Sequence, residues 1–437
     1  MISRMIYRAL KKPRQLLSFF GKSMFGDLYG RLGPIFLTGV VGGLVGMLYL
    51  NALWFLNRFL SPELWDPYSH LMVLAAVGLA VGLLTRYMGS PGDVELLVDN
   101  IHVSGGSQDL KALKSLIPIS LLCISSGGAA GPEAPLVQTT GSLGSWIADR
   151  RGLSLADKRV LTITGMAAGF TVLFGAPLGA AIFALEILHR RSMEYYEALL
   201  PAVLGSLCGY VIFLSATGLG LIPVWHFPDL GVLKSSDIYW AIVAGLTAVP
   251  VTMGFTYVNI FLRRIFNRFP SVLRPVIGGI VLGLLAFWSP YALTFGEAQI
   301  NPLVMGHMAL LALCLAAAAK LIGTSVTVSS GWRGGFIIPL FFIGAALGRA
   351  WHIVLPQTNE IVLMAALMAA INTGVTKTPL GSTLVVTEMC GIRLLPTTLI
   401  ASVIVLLLTS EVGLIESQRA RGSADFDDEG PKAPRSE

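Results

Sequence analysis

The stretch Gly131-Pro132-Glu133-Ala134-Pro135 sets an acidic residue between two prolines, with apolar sequence on both sides. An apolar run over 116–124 leads into it through Ser125-Ser126-Gly127-Gly128, and 136–147 reads as a helix. Proline suits the first turn of a helix, because the N–H it lacks would be unpaired there anyway. The pattern therefore predicts a helix start at this motif, inside apolar surroundings. A helix start carries unpaired N–H groups and roughly half a positive charge, which suits an anion. Glu133 puts an anionic side chain at the same point. The reading that organises the rest of the chain is that Glu133 and a bound anion compete for one place.

The surroundings are apolar throughout. Of 437 residues, 54% are hydrophobic and 13% charged, and the mean hydropathy is +0.72. A soluble domain carries about 25% charged residues. Many apolar stretches approach or exceed the roughly 20 residues that cross a bilayer. The fold class read from this is an all-α polytopic membrane protein. The excess of Lys and Arg is no nucleic-acid signature, because these residues sit in short loops and at the ends. The 48 glycines and 23 prolines indicate broken helices. Cys123, Cys208, Cys314 and Cys390 lie far apart in apolar runs and read as small core residues, with no metal or disulfide framework.

Residues 1–32 interleave Arg4, Arg8, Lys11, Lys12 and Arg14 with Ile2, Ile6, Leu10 and Leu16. This reads as an interfacial amphipathic segment on the cytoplasmic face. Apolar runs follow at 33–57, 70–88 and 111–124, with a turn at 89–93 opening a short helix over 94–101. A basic loop is read at 149–159 and a basic cluster at His189-Arg190-Arg191. If both face the cytoplasm, 160–188 must enter the membrane and return. That is too short for two full crossings. It predicts two short helices broken near Gly175-Ala176-Pro177, a mark of ion-transport folds. Further runs lie at 199–222, 237–262, 275–294, 306–328, 336–355, 361–372, 379–390 and 394–413. The organisation is an N-terminal segment 1–32, a first membrane repeat 33–225, a second 226–413, and a polar cytoplasmic tail 414–437 read as disordered.

The division into halves comes from an internal repeat. Aligning Ser126-Gly127 with Ser330-Gly331 sets Gly131 on Gly335, Pro135 on Pro339 and Gly144 on Gly348, at an offset of 339 − 135 = 204. Aligning Met166-Ala167-Ala168 with Met368-Ala369-Ala370 sets Pro177-Leu178-Gly179 on Pro379-Leu380-Gly381 and Glu186 on Glu388, at 388 − 186 = 202. In the second copy Ile337 replaces Glu133. A second helix start, Gly334-Gly335-Phe336-Ile337-Ile338-Pro339, thus lacks the carboxylate. In a two-fold arrangement both starts point at the midplane, and N–H groups from both halves hold one anion. Such binding stays weak enough for the ion to leave.

These residues resemble the CLC family of chloride channels and chloride/proton antiporters, prokaryotic type, over about 30–415. The family signature with a gating glutamate is approached by Ala130-Gly131-Pro132-Glu133-Ala134-Pro135-Leu136-Val137-Gln138. The signature Gly-Gly-x-Phe-x-Pro is nearly matched by Gly334 to Pro339, and Pro177-Leu178-Gly179 with Glu186 resembles the next segment. The resemblance implies an inverted two-fold repeat of tilted, partly broken helices and a homodimer with one anion path per subunit. It makes Glu133 the gate, which swings aside when protonated. It implies anion contacts at Gly131, Pro132, Ala134, Gly335, Phe336, Ile337 and Ile338, and at Ser90, carried over from Gly89-Ser90-Pro91-Gly92. Three places depart from the family. The first signature is matched only in part around Ser90. Ile187 stands where many proton-coupled members have a second, inner glutamate. The family's late tyrosine has no counterpart, since the last tyrosine is Tyr291 and the matching place holds Glu416 or a neighbour.

Glu186 and Glu388 read first as helix-capping or ion-pairing groups, with Glu186 also a candidate for the proton path. Ser126 and Ser330 read as turn residues, Arg333 as an anion attractor or an interfacial anchor, and Gly144 and Gly348 as close-packing positions. A cation-coupled solute carrier would need more polar residues at its helix breaks than Gly, Ala, Pro and Ser. None of the six histidines lies at the centre of a span, which argues against an intramembrane enzyme. The expected activity is transmembrane transport of chloride or a similar small anion, as chloride/proton exchange, with a passive channel as the alternative. The expected partners are that anion, protons, a second copy of the chain and the bilayer. No cofactor and no nucleic acid are expected. The expected location is the cytoplasmic membrane, with both termini cytoplasmic.

Overall fold

The computed structural model describes residues 25–92, 94–103, 106, 110–190, 195–218, 224–225, 227–228, 231, 233–415 and 417–418. The readings of 1–24, of Glu416 and of the tail from 419 fall outside these residues. The part of 1–32 that is described, from Phe25, belongs to the first helix.

The described chain is almost entirely helical. Its helices fall into two sets of eight, which follow each other in the same order. The first set is α1 (Phe25–Leu60), α2 (Pro67–Met88), α3 (Val94–Val103), α4 (Lys111–Ser125), α5 (Glu133–Arg150), α6 (Leu155–Phe174), α7 (Pro177–Glu186) and α8 (Leu199–Thr217). The second is α9 (Ser235–Phe266), α10 (Leu273–Trp288), α11 (Glu297–Met305), α12 (Leu310–Ser329), α13 (Ile337–Val354), α14 (Glu360–Thr376), α15 (Pro379–Cys390) and α16 (Leu395–Thr409). The repeat read from the sequence is therefore matched element by element. Each α8-type helix is even preceded by one short 3₁₀ turn, Tyr196–Ala198 in one half and Ile392–Leu394 in the other.

Among the described residues seven helical segments are long and apolar enough to cross a membrane, while α7, α10 and α14 are shorter apolar helices. Large apolar side chains such as Leu48, Phe55, Phe59 and Leu407 point outward, as a bilayer requires. Polar side chains lie inside instead. Thr162, Thr164, Thr171, Ser206 and Thr324 are buried, and each hydroxyl donates to or shares a hydrogen bond within the bundle. Such side chains meet no competing water in lipid.

Local signals set the helix ends. Ser154 caps α6 by accepting from the Asp157 N–H at 3.2 Å, and Asn359 caps α14 from Ile361 and Val362. This corrects the reading of 149–159 as one loop, since α6 already contains Asp157, Lys158 and Arg159. The cap outweighs the charges, because their side chains lie in the first turn. The break at 175–177 is as expected. Gly175 is left-handed (φ 63°) and ends α6, and Pro177 opens α7. At the equivalent place in the second half Lys377 takes the same conformation (φ 62°), which L side chains resist. Its ammonium group donates to the Gly374 and Thr409 carbonyl oxygens at 2.6 Å each. A cation satisfying the last carbonyls of a helix offsets the strain.

The short helix α11 was not read from the sequence, because Glu297, Gln299, Asn301 and Pro302 interrupt its apolar pattern. Cys314 is exposed on α12 and is not the core residue expected, whereas Cys123 and Cys390 are buried. Gly144 and Gly348 behave as read. A Cβ on the first would overlap the Leu161 carbonyl oxygen, and one on the second would overlap the Met364 backbone. These contacts let α5 lie on α6, and α13 on α14.

Candidate anion site

The two mirrored helix starts meet at a short antiparallel bridge. The Gly131 N–H donates to the Gly335 carbonyl at 2.7 Å, and the Gly335 N–H to the Gly131 carbonyl at 2.6 Å. Side chains lock the lead-in on both sides. Thr327 Oγ1 accepts from the Ala129 N–H at 3.1 Å, and the Thr324 hydroxyl donates to the Ala129 carbonyl at 2.8 Å. The fully buried Lys320 Nζ donates to the Leu293 and Thr294 carbonyls at 2.7 and 2.8 Å, and the Thr294 N–H in turn donates to the Gly127 carbonyl at 2.9 Å. The buried Lys320 amino group thus fixes, through one loop, the segment that precedes Glu133.

Neither helix start is capped by its own N-cap side chain. Pro132 occupies that place in α5 and Phe336 in α13. The first-turn N–H groups are left for another acceptor, and Glu133 supplies it. Its Oε1 accepts from the Ile338 N–H, on the opposite helix, at 2.6 Å. The N–H groups of Ile337 and of Glu133 itself also face the carboxylate. Glu133 is 1% exposed, and its Oε2 has no hydrogen-bond partner. The acid of one half therefore caps the helix of the other half, with one oxygen to spare.

A cavity of about 310 Å³ opens from this point. Glu133, Ala134, Phe336 and Ile337 line it. Arg263, Arg264 and Arg333 line it as well, and Glu133 is the one acid among its lining residues. A concave surface of that charge concentrates anions. Gln138 and Asn259 add buried carboxamides to the wall. The Asn259 amino group donates to the Phe255 carbonyl and to Ser325 Oγ at 2.8 and 2.9 Å, which leaves its oxygen as an acceptor. Asn259 was missed in the sequence, although a lone Asn inside the apolar run 237–262 is the signal that would have found it.

The expected site residues are only partly brought together. Gly131 and Gly335 form the bridge, and Ile338 holds the carboxylate. The N–H groups of the two glycines are committed to each other, so these residues bring the chains close and do not donate to an anion. Ser90 is not at the site. It is exposed, its hydroxyl leans on the Pro91 carbonyl at 3.4 Å, and among the described residues of its loop Gly92 reaches the cavity. Without the full motif, the turn ends too early to aim the hydroxyl inward.

Glu186 is not on the cavity wall either; Ile187 is. Glu186 caps the start of α15, accepting from the Leu380 and Gly381 N–H groups at 3.3 and 2.7 Å. Glu388 caps the start of α7 in the same manner, from Leu178 and Gly179 at 3.3 and 2.9 Å. The capping role read for both residues is the one the structure has.

Comparison with known proteins agrees with this fold. A family model described as voltage gated chloride channel matches residues 92–410. The chain is 26% identical over 402 residues to a chloride/fluoride channel protein of Pseudomonas syringae pv. tomato, covering 88% of this chain and 85% of that one. It is 28% identical over 365 residues to a voltage-gated ClC-type chloride channel of Citrobacter koseri, covering 79% and 85%. Among solved structures it is similar to a CLC-type fluoride/proton antiporter, with a TM-score of 0.78 and 25% identity over 90% of this chain and 99% of that one. A slow cyanobacterial chloride/proton antiporter shares the fold, with a TM-score of 0.73 and 20% identity over 87% and 95%. This chain belongs to the voltage-gated chloride channel family of integral membrane proteins.

Proposed function

We propose that the chain moves chloride or a similar small anion across the membrane in exchange for protons, with Glu133 as the gate. The observation that carries this reading is the Glu133 carboxylate on the Ile338 N–H, inside a cavity lined by arginines. A carboxylate and a halide are alike to such donors. Each brings one negative charge to unpaired N–H groups at a helix start. When Glu133 is ionised it fills the place. When it takes a proton its hold on the N–H weakens, and an anion enters. Flux therefore rises as pH falls. The anion contacts are the first-turn N–H groups around Ala134, Ile337 and Ile338, with Pro132 and Phe336 shaping the entrance.

The cavity opens to the cytoplasm, because Arg263, Arg264 and Arg268 lie at that end of α9 and basic residues gather on the inner face. Both termini lie on that face of the plasma membrane. The working unit is a pair of chains with one path each, built from repeats 33–225 and 226–413. The test is reconstitution in lipid vesicles under a chloride gradient, with external pH recorded. Uphill proton movement is the expected result, and chloride flux without it leaves the passive channel.

The passive channel is the second reading, favoured by Ile187, which cannot titrate, on the cavity wall. Glu186 separates the two. Its mirrored twin Glu388 makes equivalent bonds, so Glu186→Gln and Glu388→Gln are expected to lower stability alike. Each weakens a charge-assisted cap by about 1 kcal/mol, seen as a melting temperature lowered by a few degrees in detergent. Both are expected to keep proton coupling. Loss of coupling in Glu186→Gln alone places Glu186 on the proton path.

A further inference from the structure

Glu133 has a cradle for its ionised form, but a gate also needs somewhere to rest when neutral. The packing of α1 on α5 points to that place. A Cβ on Gly46 would rest on Leu136 Cδ1 at 3.5 Å, and one on Gly42 near Thr140 Cβ at 3.8 Å. Four residues back along α1 correspond to four residues forward along α5, so the two helices run antiparallel. Three residues on from Gly46, along the same face, is Tyr49; three back from Leu136 is Glu133. The register sets these two side chains against each other. Tyr49 is 4% exposed, deep in the bundle.

The hydrogen-bond roles are fixed by the neighbours. The Tyr49 hydroxyl lies 2.8 Å from Ser120 Oγ. Ser120 gives its own proton to the Ile117 carbonyl at 3.1 Å. The Tyr49 O–H therefore donates to Ser120, and the phenol oxygen keeps its lone pairs as acceptors. The two ends of this small space differ in kind. The Ile338 N–H offers only a donor, which suits a carboxylate. The Tyr49 oxygen offers an acceptor, which suits a carboxylic acid with a proton to give. Of the other titratable or charged groups, Cys123 of α4 faces Tyr49 and Glu297 at the start of α11 faces Glu133, while Arg333 before α13 lies against Cys123 and lines the cavity with Arg263 and Arg264.

We propose that Tyr49 is the resting partner of the protonated gate: once neutral and released from Ile338, the Glu133 carboxyl donates its proton in a hydrogen bond to the Tyr49 oxygen. The proposal rests on Glu133 being the gate. It makes Tyr49 a positioning residue that acts through Glu133 and touches no anion. Tyr49→Phe removes the acceptor and keeps the ring, so the packing is conserved.

The experiment is halide efflux from vesicles across a pH series, with the full chain, for the wild type, Tyr49→Phe, Glu133→Gln and the double variant. Tyr49→Phe is expected to need more acid, with the pH of half-maximal flux lower by about one unit, the worth of about one hydrogen bond. In the double variant the phenylalanine is expected to leave the pH profile flat, because no carboxyl is left to titrate, although the carboxamide N–H can still donate to a tyrosine oxygen. An unshifted Tyr49→Phe profile beside a flat Glu133→Gln profile overturns the role of Tyr49 and leaves the gate. A Glu133→Gln profile that still follows pH overturns the gate itself. Equal loss of flux at every pH in both backgrounds reduces Tyr49 to packing and also overturns the proposal.

Discussion

Glu133→Gln is expected to abolish proton movement driven by a chloride gradient and to make halide flux independent of pH. The amide keeps the shape of the side chain and can still accept the Ile338 N–H, but it can neither ionise nor carry a proton. Coupling measured as uphill pH change should fall at least about tenfold, to the background of empty vesicles. Glu133→Ala goes further by emptying the place. A hydrogen bond to a charged group contributes about 1.5–3 kcal/mol. Removal of that competitor should tighten halide binding by about tenfold to a hundredfold, read by calorimetry in detergent. The sign is fixed by the geometry. The wild type binds anions better as pH falls, since protonation withdraws the competitor, and the alanine variant binds equally well at all pH. Persistent proton pumping in either variant would falsify Glu133 as gate.

Gly335→Ala has the second largest expected effect. A Cβ there would lie 2.9 Å from Glu133 Cβ and within contact of its carboxylate. The added methyl takes the space in which the carboxylate, and by the same reasoning the anion, is held. Overpacking of this kind costs about 1–3 kcal/mol. In the Glu133→Ala background, where no carboxylate competes for that space, the strain falls on the bound anion, so halide affinity should drop by roughly tenfold to a hundredfold relative to Glu133→Ala alone. Gly254→Ala is the control, because a Cβ at Gly254 meets nothing within 4 Å. If both variants, made in that background, bind halide as Glu133→Ala alone does, the anion does not sit against Gly335.

How much of this was legible follows from the range of each signal. The helix start at Glu133, the break at Gly175-Ala176-Pro177 and the mirrored caps at Glu186 and Glu388 all follow from residues close together in the chain, read twice through the repeat. Ser90 was misplaced because a partial match of a motif says nothing about where its turn ends. Lys320 reads in sequence only as a lysine in an apolar run. Its role appears when the carbonyls of Leu293 and Thr294 are seen around it. Tyr49 and Ser120 lie 71 residues apart, and no local pattern links them. Positions defined by helix register across the bundle belong to the fold alone.

The unequal pair at the centre, Glu133 in one half and Ile337 in the other, bears on how such a chain could arise. Half-length ancestors assembling as twins would share one sequence, so each assembly would set two acids face to face across the Gly131–Gly335 bridge, or none. Two acids that close cannot both stay ionised, and none leaves nothing to titrate. In one chain the two copies carry different residues, so a place built for symmetry holds a single acid and a lone proton acceptor.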